Sequence, residues 1–388
     1  MTYSPLSRLD DGGVAVALQA LLEAPVQRIQ RWPGGGNNRL YQVTTADRRL
    51  ALKSYGPAGD PGSDRLLRET AALSFLERHG VTVVPTVVAV DRTARLALYG
   101  WIDGTPVSRE PSGRQGGDLP DMVRFILALR DLGRQPDAGG LAQAAEACLD
   151  AKTLVDQIRA RVSTLMAVPD EPALSGFLSD GLRPALAAAE HRLQALYRIG
   201  GLAVDDPLPR ERCVLSPSDF GFHNALRRPD GRLAFLDFEY FGWDDPVKLL
   251  ADTLWHPAYR LSTDEQRFWV DGLAGALGSS DPALSLRLNA LFPLYGLRWC
   301  AILLNEFLPA RWHRRLHATA QAGTRPGASA TSEADSAALA ADWMAAKAIQ
   351  LAKAEGWLAE VRRLSSRPFE EGMAGALPLR LPPLSSGV

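Results

Sequence analysis

Asp219 and Asn224 stand at a D-x-x-x-x-N spacing in SPSDFGFHN, and a second aspartate, Asp237, closes the apolar run LAFLD that follows. A carboxylate, an amide and a second carboxylate in that order suit phosphoryl transfer. One carboxylate faces the acceptor hydroxyl, and the other two groups offer oxygens to Mg²⁺. Mg²⁺ is a hard cation that takes oxygen ligands, so an amide oxygen serves beside a carboxylate. Asp219 is the candidate base, and help of that kind is worth about 10²–10⁴ in rate. Asn224 and Asp237 are candidate metal ligands. Glu239 lies two residues past Asp237, on the same side of a continuing strand, and is a further candidate ligand, directly or through water. A salt bridge explains Glu239 almost equally well. An Asp-capped turn would explain Asp219 and Asn224 alone, but it leaves Asp237 unexplained.

Four more groups would complete such a site. Gly34, Gly35, Gly36, Asn37 and Asn38 lie between two strands, where glycines let backbone N–H groups approach a phosphate. A plain hairpin turn is the competing reading. Lys53 ends the strand RLALK, and Glu69 lies in the helix LLRETAALSFL. A strand lysine held by a helix glutamate acts as a point charge on nucleotide phosphates. Either residue alone reads as a solvated surface position; the ordered set of turn, lysine and glutamate favours function. Asp245-Pro246 opens a helix as N-cap and first residue. His223 is given no chemical role. Asp252, His256, Tyr259, Trp299 and Glu306 are candidates for an acceptor wall, where aromatic faces would suit a cation. Helical spacing makes core packing the stronger explanation for those aromatics.

Elements must hold these residues in place. Residues 26–32, 40–44 and 48–55 read as strands, and 57–62 as loop. Residues 63–79 have helical apolar spacing, with Ser63 as N-cap and Gly80 as C-cap. Residues 83–90 and 96–101 read as a hairpin pair. Residues 106–120 are rich in Gly, Pro and Ser and read as loop. Helical patterns then cover 122–134, 142–168 with room for an interruption, 171–197, 247–259, 263–277 and 283–307. A single hairpin, 224–228 and 232–238, interrupts them around Pro229-Asp230-Gly231, where Pro presets φ and Gly allows a positive one. Residues 321–332 are small and polar and read as a mobile linker. A last helix covers 334–364, and the end is a tail. The expected class is α+β, with a small sheet lobe over 1–102, a larger helical lobe over 103–320, the linker 321–333, and a terminal helix and tail over 334–388.

Composition narrows the partners. The chain has 388 residues, 46% hydrophobic and 22% charged, as in a soluble globular protein with a sizeable core. A formal net charge of -1 gives no nucleic-acid footprint. Cys148, Cys213 and Cys300 are far apart and lack a C-x-x-C pair, which reads as reduced thiols in a cytoplasmic protein. No basic stretch followed by an apolar run opens the sequence, so no signal peptide is expected. The apolar stretch 294–304 contains Arg298 and is too short to span a bilayer. The expected partner is a small molecule, with no nucleic acid and no membrane.

The motifs GGGNNRLY (34–41), LALK (50–53), RETAAL (68–73), SDFGFHN (218–224), LDFEY (236–240) and DDPVKLLAD (244–252) together resemble the superfamily of aminoglycoside phosphotransferases and choline/ethanolamine kinases. The DFEY run is similar to choline kinases in particular. The resemblance covers about residues 25–310. It implies a two-lobed protein-kinase-like fold, ATP or GTP as donor, Mg²⁺, and transfer to a hydroxyl on a small molecule. It implies adenine contact at the lobe junction, at Tyr99, Gly100, Trp101 and Ile102. It maps the base onto Asp219, the metal ligands onto Asn224 and Asp237, the phosphate lysine onto Lys53 and its partner onto Glu69. Family members usually carry His two residues before the base; this chain has Pro217. A nucleotide-binding pseudokinase is the alternative reading. A protein kinase is disfavoured because no A-P-E segment or activation loop follows Asp237. Aminoglycoside, choline, sugar, amino-acid alcohol and nucleoside all remain open as acceptors.

Overall fold

The structure, a computed structural model, describes residues 11–22, 24–32, 38–56, 64–309, 311–312, 333–366, 379 and 381. Gly34, Gly35, Gly36, Asn37 and Ser63, the expected loop 57–62, the expected linker 321–332 and most of the tail lie outside those residues.

Strand alternation builds the first sheet. β1 (Arg28–Trp32), β2 (Arg39–Thr44), β3 (Arg49–Ser54), β4 (Val87–Asp91) and β5 (Leu96–Gly100) form five antiparallel strands in the order β1-β2-β3-β5-β4. Tyr41, Val43, Leu50, Leu52, Leu96 and Leu98 face one side and pack on Val14 and Leu18 of α1 (Asp11–Leu21). The sequence reading missed α1. Period two therefore sends Ala51 and Lys53 to the opposite face, where α2 (Arg65–Arg78) lies. That alternation is what turns Lys53 toward Glu69. The N-cap of α2 is Asp64, whose side chain accepts from the N–H groups of Leu66 and Leu67. An Asp here satisfies two end donors and complements the helix dipole; Arg95 also holds it, at 2.9 Å. Gly80, just past the helix, has φ +74, the left-handed position that closes an α-helix.

The remainder is mostly helical: α3 (Asp118–Leu132), α4 (Ala151–Met166), α5 (Pro172–Gly176), α6 (Arg183–Ile199), α7 (Pro246–Trp255), α8 (Thr263–Gly278), α9 (Leu284–Leu303) and α10 (Glu333–Ser365). α9 is apolar on nearly every side and is packed by α4, α6, α7, α8 and α10, as expected of a fully surrounded helix. The expected helix 142–168 begins only at Ala151. Residues 142–144 instead run beside β10 (Gly242–Asp244), with Ala144 N–H donating to Trp243 at 2.9 Å. Gly242 permits this approach, since a Cβ there would stand 2.5 Å from the backbone of that segment. The expected helix 171–197 is broken by a π-helical turn at Phe177–Leu182.

Short strands frame the motif region. β7 (Val214–Ser216) pairs with β10. β8 (Ala225–Arg227) and β9 (Leu233–Phe235) form the expected hairpin, joined by β6 (Thr105–Pro106). Phe235 N–H donates to Val83 at 2.8 Å, which ties the hairpin to the segment leading out of α2. Among the described residues no helix is long and apolar enough to cross a membrane.

Candidate active site

Lys53 is 6% exposed and its Nζ lies among three carboxylates. Glu69 accepts at 2.7 Å, Asp237 at 2.6 Å, and Glu239 stands at 3.2 Å. Burial works to deprotonate the amine, but Asp237, Glu69 and Glu239 outweigh it and push its pKa well above the usual lysine value. Glu69 also accepts from Tyr55 Oη at 2.5 Å and from the Phe238 N–H at 3.2 Å, so its orientation is fixed from three sides. Glu239 is 1% exposed; Arg65 pairs with it at 3.3 Å and Asn38 Nδ2 donates to it. Arg65 lies one turn before Glu69 on the same face of α2, a spacing that flags it from sequence. Tyr55 carries no such flag.

Asp237 is not on a strand. β9 ends at Phe235, and Asp237 takes φ +65. A non-glycine residue in that region costs about 1–3 kcal/mol and persists where its surroundings over-determine it. The period-two argument for Glu239 therefore does not apply, although both carboxylates reach Lys53.

One run of hydrogen bonds links the motif residues. Asn224 Nδ2 donates to the Asp219 carbonyl at 3.0 Å, and Leu236 N–H donates to the Asn224 carbonyl at 2.8 Å. Asp219, Asn224 and Asp237 thus belong to one bonded unit. Asn224 has committed its nitrogen to the protein, which leaves its oxygen for a cation. Asp219 Oδ1 lies 3.1 Å from His223 Nε2 and 3.2 Å from His256 Nε2. Burial tends to raise the Asp219 carboxyl, but His223 and then His256 outweigh it and hold it well below the usual carboxylate range. Burial, followed by the neighbouring His223, pushes His256 down to about 4. Ser218, beside Asp219, has φ +69, and Lys248 Nζ donates to its Oγ at 2.7 Å.

A family model described as the phosphotransferase enzyme family (APH) matches residues 28–287. The chain belongs to this family. It is a phosphotransferase with an alcohol group as acceptor, on a two-lobed, kinase-like α+β fold. Solved structures share that fold. A choline kinase from Streptococcus pneumoniae is 16% identical, with 89% of this chain and 97% of that one covered and a TM-score of 0.53. An ethanolamine kinase from Plasmodium vivax is 12% identical, with 91% and 90% covered and a TM-score of 0.53. An ADP-bound aminoglycoside phosphotransferase, APH(2'')-Ib, is 13% identical, with 88% and 99% covered and a TM-score of 0.51. At such identities the likeness is one of fold. A comparison with curated proteins finds no match.

In the phosphotransferase the remaining sequence candidates divide between the Glu69 network, the surroundings of Asp219, and packing or capping positions. Tyr99 is buried and its Oη meets Tyr55 Oη at 2.6 Å, so its ring belongs to the Glu69 network. Gly100 N–H is taken by the Thr86 carbonyl at 2.9 Å, and a Cβ there would meet Thr86 Oγ1 at 2.5 Å. Trp101 and Ile102 are the first residues beyond the ladder, and the Trp101 ring meets Trp32 edge-on at 5.6 Å. Asp245 caps α7 through the Val247 N–H at 2.8 Å and pairs with Arg287, the structural role read from sequence. His256, Tyr259 and Trp299 do cluster, with His256 5.3 Å from Tyr259 and 4.7 Å from Trp299. Asp252 accepts from Trp299 Nε1 at 2.9 Å and pairs with Lys248 and Arg298. Glu306 lies in the turn after α9, where its carbonyl accepts from Trp343 at 2.7 Å.

Among the described residues two groups have the geometry of ion sites. Glu69, Asp237 and Glu239 offer carboxylate oxygens within 4.8 Å of one another, and Asp219 with His223 and His256 offers one oxygen and two ring nitrogens equally close together. The first group sets three carboxylates against Lys53 and Arg65. An all-oxygen, net negative group suits Mg²⁺. The Asp237 side chain is 36% exposed and gives only Oδ1 to Lys53, so it retains an oxygen for an ion.

Gly221 has a testable packing role in this loop. A Cβ there would lie 2.3 Å from the Tyr259 ring, which its own Oη fixes on the Thr253 carbonyl at 2.9 Å. Gly221→Ala is expected to cost about 1–3 kcal/mol through overpacking, read as a lowered Tm in thermal denaturation. An unchanged Tm would mean that the loop moves freely.

Proposed function

We propose that the chain is an ATP-dependent small-molecule kinase in which Asp219 orients the acceptor hydroxyl. The observation that carries this reading is the bonded run Asp219–Asn224–Leu236, ending next to Asp237 on Lys53. Lys53 carries a fixed positive charge for the nucleotide phosphates, and Glu69 holds it in place. Asn224 and Asp237 would hold Mg²⁺, which neutralises charge developing on the β- and γ-phosphate oxygens when bound. Glu239 is assigned to bracing Lys53 rather than to the ion, because Arg65 and Asn38 already occupy it. Asp219 Oδ1 is committed to two imidazoles, so Oδ2 is the atom that receives the acceptor hydroxyl. A carboxylate held this far down is a weak base in the ground state. It fixes the line of attack first and takes the proton late, as a loose transition state requires. Most of the rate enhancement then comes from positioning and fixed charge.

Asn38, the described end of the glycine-asparagine run, is anchored on Glu239 beside Lys53, and that run is assigned to the phosphates. The nucleobase, adenine or in the alternative guanine, would meet the chain where it leaves β5, at Gly100, Trp101 and Ile102. Tyr99 supports that junction from inside.

The acceptor side favours a neutral alcohol, such as a sugar, over a polycation such as an aminoglycoside. Several ammonium groups would need carboxylates to receive them, yet Asp252 is already held by Lys248, Arg298 and Trp299. Choline, with one charge, stays between these cases, since an aromatic face can receive it. ADP release measured across sugars, polyols, choline, ethanolamine and aminoglycosides tests both levels. Turnover with a sugar or polyol supports the reading. Turnover confined to aminoglycosides would contradict the acceptor class, and no ADP release with any alcohol would contradict the kinase assignment.

A further inference from the structure

The two imidazoles on Asp219 come from different parts of the chain. His223 lies in the turn Phe222–Asn224, and His256 is the C-cap of α7. Their rings stack at 4.1 Å with 13° between planes, and both Nε2 atoms reach the same oxygen, Oδ1. The tautomer of His256 follows from its other nitrogen. Ala258 N–H donates to Nδ1 at 3.1 Å, so the proton sits on Nε2 and is donated to Asp219. His223 Nδ1 is buried and lacks a hydrogen-bond partner among the described residues. A proton there would be an orphaned donor, which is costly inside a protein, so His223 also carries its proton on Nε2. The surroundings lock His256. Tyr259 stacks on it at 8°, Trp299 meets it edge-on at 70°, and both rings are tied by hydrogen bonds, to Thr253 and Asp252 respectively.

We propose that His256, with His223, is a positioning residue for this phosphotransferase: the pair clamps Oδ1 of Asp219 so that Oδ2 alone is presented to the acceptor hydroxyl. This rests on the reading of Asp219 given above. Two donors fill the lone pairs of Oδ1, and the carboxylate can no longer rotate to exchange its oxygens. The clamp also joins the motif loop to α7, so the acceptor-facing oxygen keeps its place relative to the helical lobe. The same three residues have the donor types of a zinc site. A ligating Nε2 requires the proton on Nδ1, usually given to an acceptor. Ala258 presents a donor to that atom instead, which favours the clamp.

The test compares His256→Leu, which removes the donor, with His256→Gln, whose amide nitrogen lies the same number of bonds from Cα as Nε2. His256→Leu is expected to lower kcat about 10–100-fold, the loss of one hydrogen bond to a charged group. KM for the acceptor and the affinity for Mg·ATP should stay within about threefold, because the group acts on alignment and not on binding. His256→Gln should recover most of the lost kcat. If His256→Leu does not fold, the same comparison at His223, Leu against Gln, reads the other arm of the clamp. Equal kcat for Leu, Gln and the parent chain would overturn the proposal, as would a rise in KM alone, or Gln no better than Leu. Stoichiometric zinc in the purified protein, lost in His256→Gln, would also overturn it. Asp219→Ala run in parallel separates the two claims. If that variant is inactive and His256→Leu is unimpaired, only the clamp fails; if Asp219→Ala turns over normally, the reading beneath it fails.

Discussion

Asp219→Ala is expected to reduce turnover by about 10²–10⁴, the range that a positioned base supplies, while Mg·ATP binding stays within about twofold. The division follows from what Asp219 touches. Its side-chain partners are His223 and His256, and neither belongs to the Lys53 cluster. Its only link toward Asn224 is its carbonyl, which alanine retains. Asp219→Asn sharpens the result. Its amide oxygen can still accept from the two imidazoles, so the loop should keep its shape while the carboxylate charge is gone. A coupled ADP assay with a responsive acceptor, beside calorimetric titration with nucleotide, makes the measurement. If Asp219→Ala turns over at the parent rate, its assignment is wrong.

Asp237→Asn is expected to abolish the part of nucleotide affinity that depends on Mg²⁺, a loss of about 10²-fold or more when an ionic metal ligand is removed. Asparagine is chosen over alanine because Asp237 sits at φ +65, and asparagine tolerates the left-handed region that alanine avoids. Tm should therefore change little, and a loss of affinity can be assigned to charge. The substitution also takes one of three carboxylates from Lys53, yet Glu69 and Glu239 remain to hold it. Titrating nucleotide with and without Mg²⁺ separates ion binding from phosphate binding. Equal gains from Mg²⁺ in parent and variant would place the ion elsewhere.

Much of this arrangement is legible where local chemistry decides geometry. The D-x-x-x-x-N spacing and the Pro-Asp-Gly turn foretell a hairpin returning beside Asn224, and Leu236 does bond there. Alternation along RLALK separates Lys53 from Leu52, and helical spacing sets Glu69 on the face that meets it. Asp245-Pro246 reads correctly as a cap because the cap is local. The misreadings share a different cause, which is tertiary contact. Residues 142–144 have helical composition but bond to the edge of β10, and nothing in their own sequence announces that neighbour. The cap of α2 moves from Ser63 to Asp64, whose carboxylate is held by Arg95 from the turn between β4 and β5. Asp237 leaves the strand it appears to finish because Lys53 and the Glu69–Phe238 contact pull the backbone into a left-handed turn. His223 is given no chemical role in sequence although histidine is a frequent acid or base, and His256 reads only as a candidate wall residue; their convergence on one oxygen depends on where α7 ends. Glu239 divides between ion and salt bridge in sequence, and the nearness of Arg65 and Asn38 turns the balance toward the bridge.

The central claim is that Asn224 and Asp237 hold one Mg²⁺ while Asp219 faces the phosphate it presents. A crystal structure with Mg²⁺ and a non-hydrolysable ATP analogue tests it most directly. The account predicts Asn224 Oδ1 and an Asp237 carboxylate oxygen at about 2.0–2.1 Å from the ion, Lys53 Nζ on the phosphates, and Asp219 Oδ2 open toward the γ-phosphate. An ion held by Glu239 without Asn224, or a nucleotide bound away from Lys53, would contradict it.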